Sequence, residues 1–307
     1  MGKPSQSREL IVVGAGPAGI TAAIYAARKR MDFAVFATDV GGRAILASRE
    51  ESYTGYQFVS GDELAARFEE HLKEYGFEFR MDEVQKVERE GEAFEVITEA
   101  GASLAKTVIV ATGRKPRELK VPGEAEFRNR GVTYCATCDA PLFEDLDVAV
   151  VGGGNSGLEA VLQLTKIARS VRLIEEGPQL RAMPALTEKA RASDRVEILT
   201  GTKVVEIVGE KAVAGIRVRR KGEETLLPVQ GVFIEIGSVP NSDLVDFVAK
   251  NSRGEIVVNC RAETNVEGSF AAGDVTDVSE KQIVIAAGEG CKAVLSAFKY
   301  LSRSPSL

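Results

Sequence analysis

Short apolar runs recur along the chain, each followed by a glycine-rich or polar turn and, in several places, by an amphipathic stretch. Runs of this kind, without polar alternation, predict strands buried on both faces of a parallel sheet with helices covering them. Leu10-Ile11-Val12-Val13 is the first such run. It leads into Gly14-Ala15-Gly16-Pro17-Ala18-Gly19 and an alanine-rich helix to about Arg28. A second strand is predicted over 33–37 and a charged amphipathic helix over 62–75, where His71 lies among Glu69, Glu70 and Lys73 as a solvated side chain. Residues 79–98 read as a β meander around Gly91, and 107–110 as a buried strand ending in Ala111-Thr112-Gly113. The stretch 114–122 carries two prolines and several charges and reads as a linker.

Beyond the linker the pattern begins again. A buried strand over 148–151 is followed by Gly152-Gly153-Gly154-Asn155-Ser156-Gly157, an apolar-periodic helix to about Ile167 and a strand over 171–174. Gly14, Gly16 and Gly19 therefore recur as Gly152, Gly154 and Gly157, in the same strand–turn–helix setting. More strands are predicted within 196–219 and 225–236, and 237–241 starts the return to the first domain. Ser269-Phe270-Ala271-Ala272-Gly273-Asp274 reads as a strand ending in Gly-Asp, and 282–300 as a largely apolar helix. The expected fold is α/β, with two Rossmann-like dinucleotide-binding domains, the second inserted into the first. Residues 1–118 and 251–307 form the discontinuous domain and 119–250 the inserted one.

The repeated glycines carry the first chemistry. In G-x-G-x-x-G the first glycine permits a tight turn, the second lets a pyrophosphate approach the backbone, and the third lets helix and strand pack closely. The first-turn amides of the helix then face the phosphates. The strand after the second turn ends in Glu175-Glu176, at the distance where an acid bonds a ribose 2′-hydroxyl and repels a 2′-phosphate. With Arg181 the one isolated cation nearby, these residues favour NADH over NADPH. The strand after the first turn ends in Thr38 and Asp39 without a clear ribose-binding acid. Gly41-Gly42-Arg43 follows as a second tight turn, which spacing alone leaves open between plain loop and cofactor contact. Gly273-Asp274 places an acid just beyond a strand, where open α/β sheets bind ribose or polyol hydroxyls.

Cys135-Ala136-Thr137-Cys138-Asp139 carries the second chemistry. Two cysteines at this spacing can close a disulfide or exchange with another one, and amides at the start of a helix would favour the thiolate. Asp139 is placed to pass a proton. A zinc site needs two further ligands. Cys260 and Cys291 form no second pair, and both read as packing residues, one at a strand end and one inside an apolar helix. The pair is therefore expected to be redox-active, with no metal.

Overall composition excludes more than it assigns. Acidic and basic residues are interspersed, and the net charge of −6 argues against a nucleic-acid partner. No apolar segment reaches the length of a membrane span, and the short polar start reads as no export signal, so a cytoplasmic chain with a cycling disulfide is expected.

Two dinucleotide fingerprints, a CxxC at the start of the second domain and a late Gly-Asp together resemble the low-molecular-weight thioredoxin reductases, from about Leu10 to Leu301. The resemblance implies an FAD-dependent homodimer whose domains swing between flavin reduction and partner reduction. Gly14, Gly16, Pro17, Ala18 and Gly19 would hold the FAD pyrophosphate, with the 38–43 turn and Val87 around the adenosine. Thr112, Gly113 and Ser52 would add to the flavin site, Gly273 and Asp274 would take the ribitol, and Lys281, Gln282 and Ile283 would lie along the flavin. The second turn (Gly152, Gly154, Asn155, Ser156, Gly157), with Glu175, Glu176 and Arg181, would hold the nicotinamide cofactor. Cys138 would lie nearer the flavin, Cys135 would attack the partner, and Asp139 would be the acid.

Four departures refine this reading. Arg43 stands where the family has Gln, Glu51-Ser52-Tyr53 replaces Glu-Asn-Tyr, Lys281 and Ile283 replace the outer residues of Arg-Gln-Ala, and Glu175-Glu176-Gly177 replaces an NADPH-binding His-Arg-Arg. The last, with Asp139-Ala140-Pro141-Leu142-Phe143 and Gly231-Val232-Phe233-Ile234, is similar to the NADH-using flavoprotein of alkyl hydroperoxide reductase, although without that flavoprotein's extra thioredoxin-like domains. The implied partner is a separate thioredoxin- or glutaredoxin-like protein. Alternatives are ferredoxin or another carrier as donor, or a peroxiredoxin system as recipient.

Overall fold

A computed structural model describes residues 7–46, 50 and 52–303. They form two compact units. Residues 7–46, 52–115 and 239–303 make up the first, and 116–238, with Glu50, make up the second.

The first unit opens as the apolar runs predict. β1 (Arg8–Val13), α1 (Pro17–Arg28) and β2 (Phe33–Ala37) make a strand–helix–strand unit, with β1 and β2 parallel and Leu10 opposite Phe33. All five residues of β2 are buried, which is why its sequence shows no polar alternation. α2 (Gly61–Lys73) is capped by Ser60, whose hydroxyl accepts the Glu63 amide, and His71 on it is exposed. β3 (Glu78–Met81), β4 (Val84–Glu90) and β5 (Ala93–Thr98) lead into β6 (Gly101–Val110). β6 is longer than the expected 107–110 because it serves two neighbours. Its first half pairs antiparallel with β5, and its second half runs parallel to β1.

The chain leaves the first unit through β7 (Arg114–Pro116). The second unit contains β8 (Val132–Thr133), α3 (Ala136–Asp139), β9 (Asp147–Val151), α4 (Asn155–Leu164), β10 (Ser170–Glu175), α5 (Pro184–Arg191) and β11 (Val196–Thr200). β12 (Thr202–Gly209), β13 (Val213–Arg220) and β14 (Glu223–Pro228) form an antiparallel sheet, and β15 (Gly231–Ile234) rejoins the parallel sheet in the order β11-β10-β9-β15-β8. Periodicity alone missed α5. Its signal was Pro184, which occupies the first helical turn.

The return runs through β16 (Ser238–Pro240) to β17 (Ser269–Ala271), which pairs parallel with β6, and to α6 (Ile283–Arg303). The units change at 115/116 and 238/239, whereas the sequence placed the boundaries at 118/119 and 250/251. Residues 239–250 group with the first unit because Val245 and Val248 are buried in its core and Leu244 O accepts the Val87 amide. α6 lies on α1 at close range. A Cβ on Gly290 would come 1.9 Å from Ala18 O, so the contact depends on small residues. Cys260 departs from expectation. It is exposed in a turn that Asn259 organises by accepting the Arg261 and Glu263 amides, so it packs into no core.

Candidate functional site

Both glycine turns are sterically committed. Gly14 has φ +105° and Gly152 φ +125°, and an added Cβ would meet Ala111 O at 2.4 Å or Glu235 O at 2.3 Å. Gly19 and Gly157 repeat one contact, each placing a Cβ 1.8 Å from the carbonyl oxygen of the first glycine in its turn. The middle glycines face space instead. Nothing lies within 4 Å of a Cβ on Gly154, and only Gly42 Cα, at 3.9 Å, approaches one on Gly16. Gly16 and Gly154 are also the N-caps of α1 and α4, and neither helix start has a side-chain cap. Amides offered without a cap, under open space, fit the phosphates of a dinucleotide in each unit.

Around the first turn, Pro17, Ala18 and Gly19 begin α1, with Ala18 and Gly19 buried. The Gly41-Gly42 turn is built against it. Gly41 N–H donates to Ala15 O at 2.8 Å, and a Cβ on Gly42 would lie 3.1 Å from Gly16 Cα. Thr38 is exposed, and Asp39 accepts the Gly42 amide at 2.9 Å. Arg43 pairs with Asp274 at 3.4 Å, so the structure joins two residues that lie far apart in sequence. Gly273, beside Asp274, donates its amide to the buried Glu289 at 3.3 Å. Thr112 Oγ1 donates to Asn241 O at 2.6 Å, and Gly113 O accepts the Asn241 amide. Val87 is buried with its amide bonded to Leu244 O, so it offers a ligand no N–H. Ser52 is exposed, and Glu51 lies outside the described residues.

Lys281, Gln282 and Ile283 form the entry to α6, each partly buried. Lys281 Nζ donates to Thr276 O at 2.6 Å and lies 3.6 Å from the buried Glu255, which Arg114 and Arg253 also approach. Burial pushes the Lys281 ammonium down, against the upward pull of Glu255. Burial alone would raise the Glu255 carboxyl, but Asn251, Lys281 and Arg253 outweigh it and leave the group lowered from its ordinary value.

The strand after the second turn ends differently. Glu175 is buried, and its carboxylate accepts the Gly153 amide at 2.6 Å and the Gly177 amide at 2.8 Å, with Arg181 at 3.4 Å. Burial acts to raise this carboxyl, and the two amides with Arg181 reverse it, leaving a net lowering. A Cβ on Gly153 would lie 2.7 Å from Glu175 Oε2, so the middle glycine of Gly-Gly-Gly makes room for this acid. Glu176 is exposed and pairs with Lys203, while Asn155 and Ser156 are exposed at the start of α4, where Asn155 accepts the Met183 amide.

Cys135 and Cys138 are joined as a disulfide, both partly buried, with Cys135 as the N-cap of α3. The Cys138 amide points at Cys135 Sγ, 3.2 Å away. Asp139 is buried, and its carboxyl accepts the Thr133 hydroxyl, while the same hydroxyl oxygen accepts the Cys135 amide at 3.2 Å. Thr133 thus links the disulfide backbone to the acid. Glu235 accepts the Ala136 amide at 3.2 Å. Sequence reading singled out neither Thr133 nor Glu235, because the pairing of β8 with β15 is what places them at the disulfide. Among the described residues, no group of His, Cys, Asp and Glu could hold a metal ion, and no helix is long and apolar enough to cross a membrane.

A family model described as pyridine nucleotide-disulphide oxidoreductase matches residues 8–290. The chain is 45% identical over 304 residues to the F subunit of alkyl hydroperoxide reductase from Pseudomonas putida, covering 96% of this chain and 58% of that protein. It is 42% identical over 301 residues to a protein named NADH dehydrogenase from Bacillus subtilis, covering 96% of this chain and 59% of that protein. The chain thus spans less than two thirds of the curated relatives it matches. Among solved structures, thioredoxin reductase from Streptococcus pyogenes superposes with a TM-score of 0.92 at 37% identity, covering 97% of this chain and 99% of that one. With two glycine turns, a CxxC disulfide and these matches in hand, the chain belongs to the pyridine nucleotide-disulphide oxidoreductases and, within them, to the thioredoxin reductase-like proteins.

Proposed function

We propose that this disulfide oxidoreductase takes electrons from NADH in preference to NADPH and delivers them through Cys135 and Cys138 to the disulfide of a thioredoxin- or glutaredoxin-like protein. In this reading the first unit holds FAD, the second holds the nicotinamide cofactor, and the chain acts as a cytoplasmic homodimer. Bound FAD supplies a two-electron relay between nicotinamide and disulfide. Gly14, Gly16 and the first-turn amides of α1 bind its pyrophosphate, and Asp274 its polyol hydroxyls. Glu175 orients the ribose of NADH and repels a 2′-phosphate. Once the pair is reduced, Cys135 as thiolate attacks a sulfur of the partner, breaking its disulfide and forming a mixed disulfide. Cys138 then attacks Cys135 Sγ, restoring the internal disulfide and releasing the partner as a dithiol. Asp139, held by Thr133, exchanges the proton.

The observation that carries this reading is the Cys135–Cys138 disulfide in the unit that also contains the second glycine turn, with the buried Asp139 beside it. Replacing Cys138 by Ser tests it. Turnover of a protein disulfide should fall to background while NADH still reduces the flavin. Sustained turnover in that variant would rule the mechanism out.

The relatives named as the F subunit of alkyl hydroperoxide reductase support a narrower version, in which the partner's electrons end in a peroxide-reducing protein. NADH oxidation driven by hydroperoxide, when a peroxiredoxin and a thioredoxin-like carrier are both supplied, tests that version. No oxidation above the rate with the carrier alone would reject it.

A further inference from the structure

Two parallel strands end side by side in the second unit. β15 pairs with β8 with Phe233 opposite Thr133, so two residues further on the chain delivers Glu235 beside Cys135. The contact is explicit, since Glu235 Oε1 lies 3.2 Å from the amide of Ala136, the peptide that follows Cys135. Glu235 also adjoins the second glycine turn, because its own amide donates to Val151 O at 2.8 Å and its carbonyl limits Gly152 to glycine. In sequence it is the one acid interrupting the apolar run from Val232 to Ile236.

We propose that Glu235 tunes the redox pair: its carboxylate, bonded to the amide that follows Cys135, holds that sulfur in the thiol form and makes the reduced pair a stronger reductant. The role rests on the disulfide-exchange reading above. A cysteine thiolate is stabilised by nearby N–H donors and destabilised by nearby negative charge. Glu235 acts through the second of these, since it places a charge on the peptide that follows Cys135 and leaves the Cys138 amide pointing at Cys135 Sγ. Less stabilisation of the thiolate means less stabilisation of the reduced state, and hence a lower reduction potential. When Cys135 ionises, its proton leaves to solvent, and the thiolate remains the attacking species.

The other ionisable groups at the turn are the same in every variant compared below. Asp139, buried in the same turn, accepts the Thr133 hydroxyl and is unchanged in both Glu235 variants, so its contribution is common to all the profiles. Tyr134 donates its phenol to Glu124 at 2.8 Å and is pushed up to about 12, by burial first, so it stays neutral. The packed helix α4 presents Gln163, which donates to Ala136 O, and one turn earlier on the same face the exposed Glu159, while the turn Ala140–Phe143 that follows α3 is apolar.

The test is the pH dependence of iodoacetamide labelling at Cys135, read by peptide mass spectrometry to separate it from Cys260 and Cys291. It is made in Cys138→Ser protein with neither donor nor partner present. Glu235→Gln keeps an acceptor for the Ala136 amide and removes the charge. The titration of Cys135 should move down by about one pH unit, giving about tenfold more thiolate at a pH below the midpoint. Glu235→Asp, which restores the charge, should return the profile towards that of the parent. Superimposable profiles for the parent and Glu235→Gln would overturn the proposal, as would an equal shift in both Glu235 variants, which would mark a packing effect. Because no protein disulfide is turned over, failure here leaves the proposed electron path untouched. Conversely, a clear shift would stand even if that path failed.

Discussion

The two glycine turns share a skeleton and differ in their fittings. Both use a left-handed first glycine pressed on a neighbouring backbone and a third glycine pressed on the first, at the same 1.8 Å limit. After the next strand they part. In the first unit Asp39 is exposed and fastens a second glycine turn, whereas in the second unit Glu175 is buried and fastens the glycine turn itself. The backbone of a dinucleotide cradle is thus set by sterics and can be repeated unchanged. The side chain at the end of the next strand is free to differ, and in the proposed reading that is where discrimination between cofactors is set.

Adding a methyl group breaks the shared part most severely. Gly19→Ala and Gly157→Ala both force a Cβ into a backbone carbonyl, and each should lower stability by at least about 1–3 kcal/mol in thermal or denaturant unfolding. Gly154→Ala meets nothing within 4 Å, so it should cost less than about 1 kcal/mol while weakening nicotinamide nucleotide binding. Equal unfolding losses at Gly154 and Gly157 would show that the turn is not built as described.

Exchanging the strand-end acids sharpens the difference. Glu175→Ala removes a charged acceptor from two amides and from the ribose site, and should erode the preference for NADH over NADPH by roughly 10- to 100-fold. Asp39→Ala, at an exposed position, should change FAD affinity by less than about tenfold, measured by flavin release. An unchanged cofactor ratio in Glu175→Ala would remove Glu175 from the specificity account.

The smallest effects lie in acid. Glu175 has a lowered folded value, so its contribution to stability is present above the unfolded value of 4.5 and is lost as pH falls through the folded one. Asp147, held at about 2 by Arg169 and Ser170, follows the same sign between 3.8 and about 2, and the exposure of its partner Arg169 to solvent keeps the effect small. Glu175→Gln should therefore show a shallower loss of stability below about pH 4.5 than the parent, and Asp147→Asn a slightly shallower loss at lower pH. Urea unfolding at stepped pH measures both.

The elements that create the cradles were legible because their signals are local. An apolar run, three glycines at fixed spacing and an alanine-rich stretch encode β1, the turn and α1 within about twenty residues. The same holds for β9 and α4, and for the CxxC at the start of α3. Polar contacts that depend on strand pairing were not legible. Glu235 reaches the amide after Cys135 only because β15 lies beside β8, and Arg43 meets Asp274 across 231 positions of sequence. The return was legible as starting at 237–241, but no composition change marks where it is complete; residues 239–250 group with the first unit, where Val245 and Val248 are buried.

The electron path itself is tested most directly by anaerobic absorbance titration of the purified protein with NADH and, separately, with NADPH. A yellow protein bleached by NADH at far lower concentration than by NADPH is the expected result. It would support the flavin in the first unit and the role of Glu175 in the second together. A flavin reduced by dithionite but by neither nucleotide would contradict NADH as donor, and a protein that binds no flavin would contradict the path as a whole.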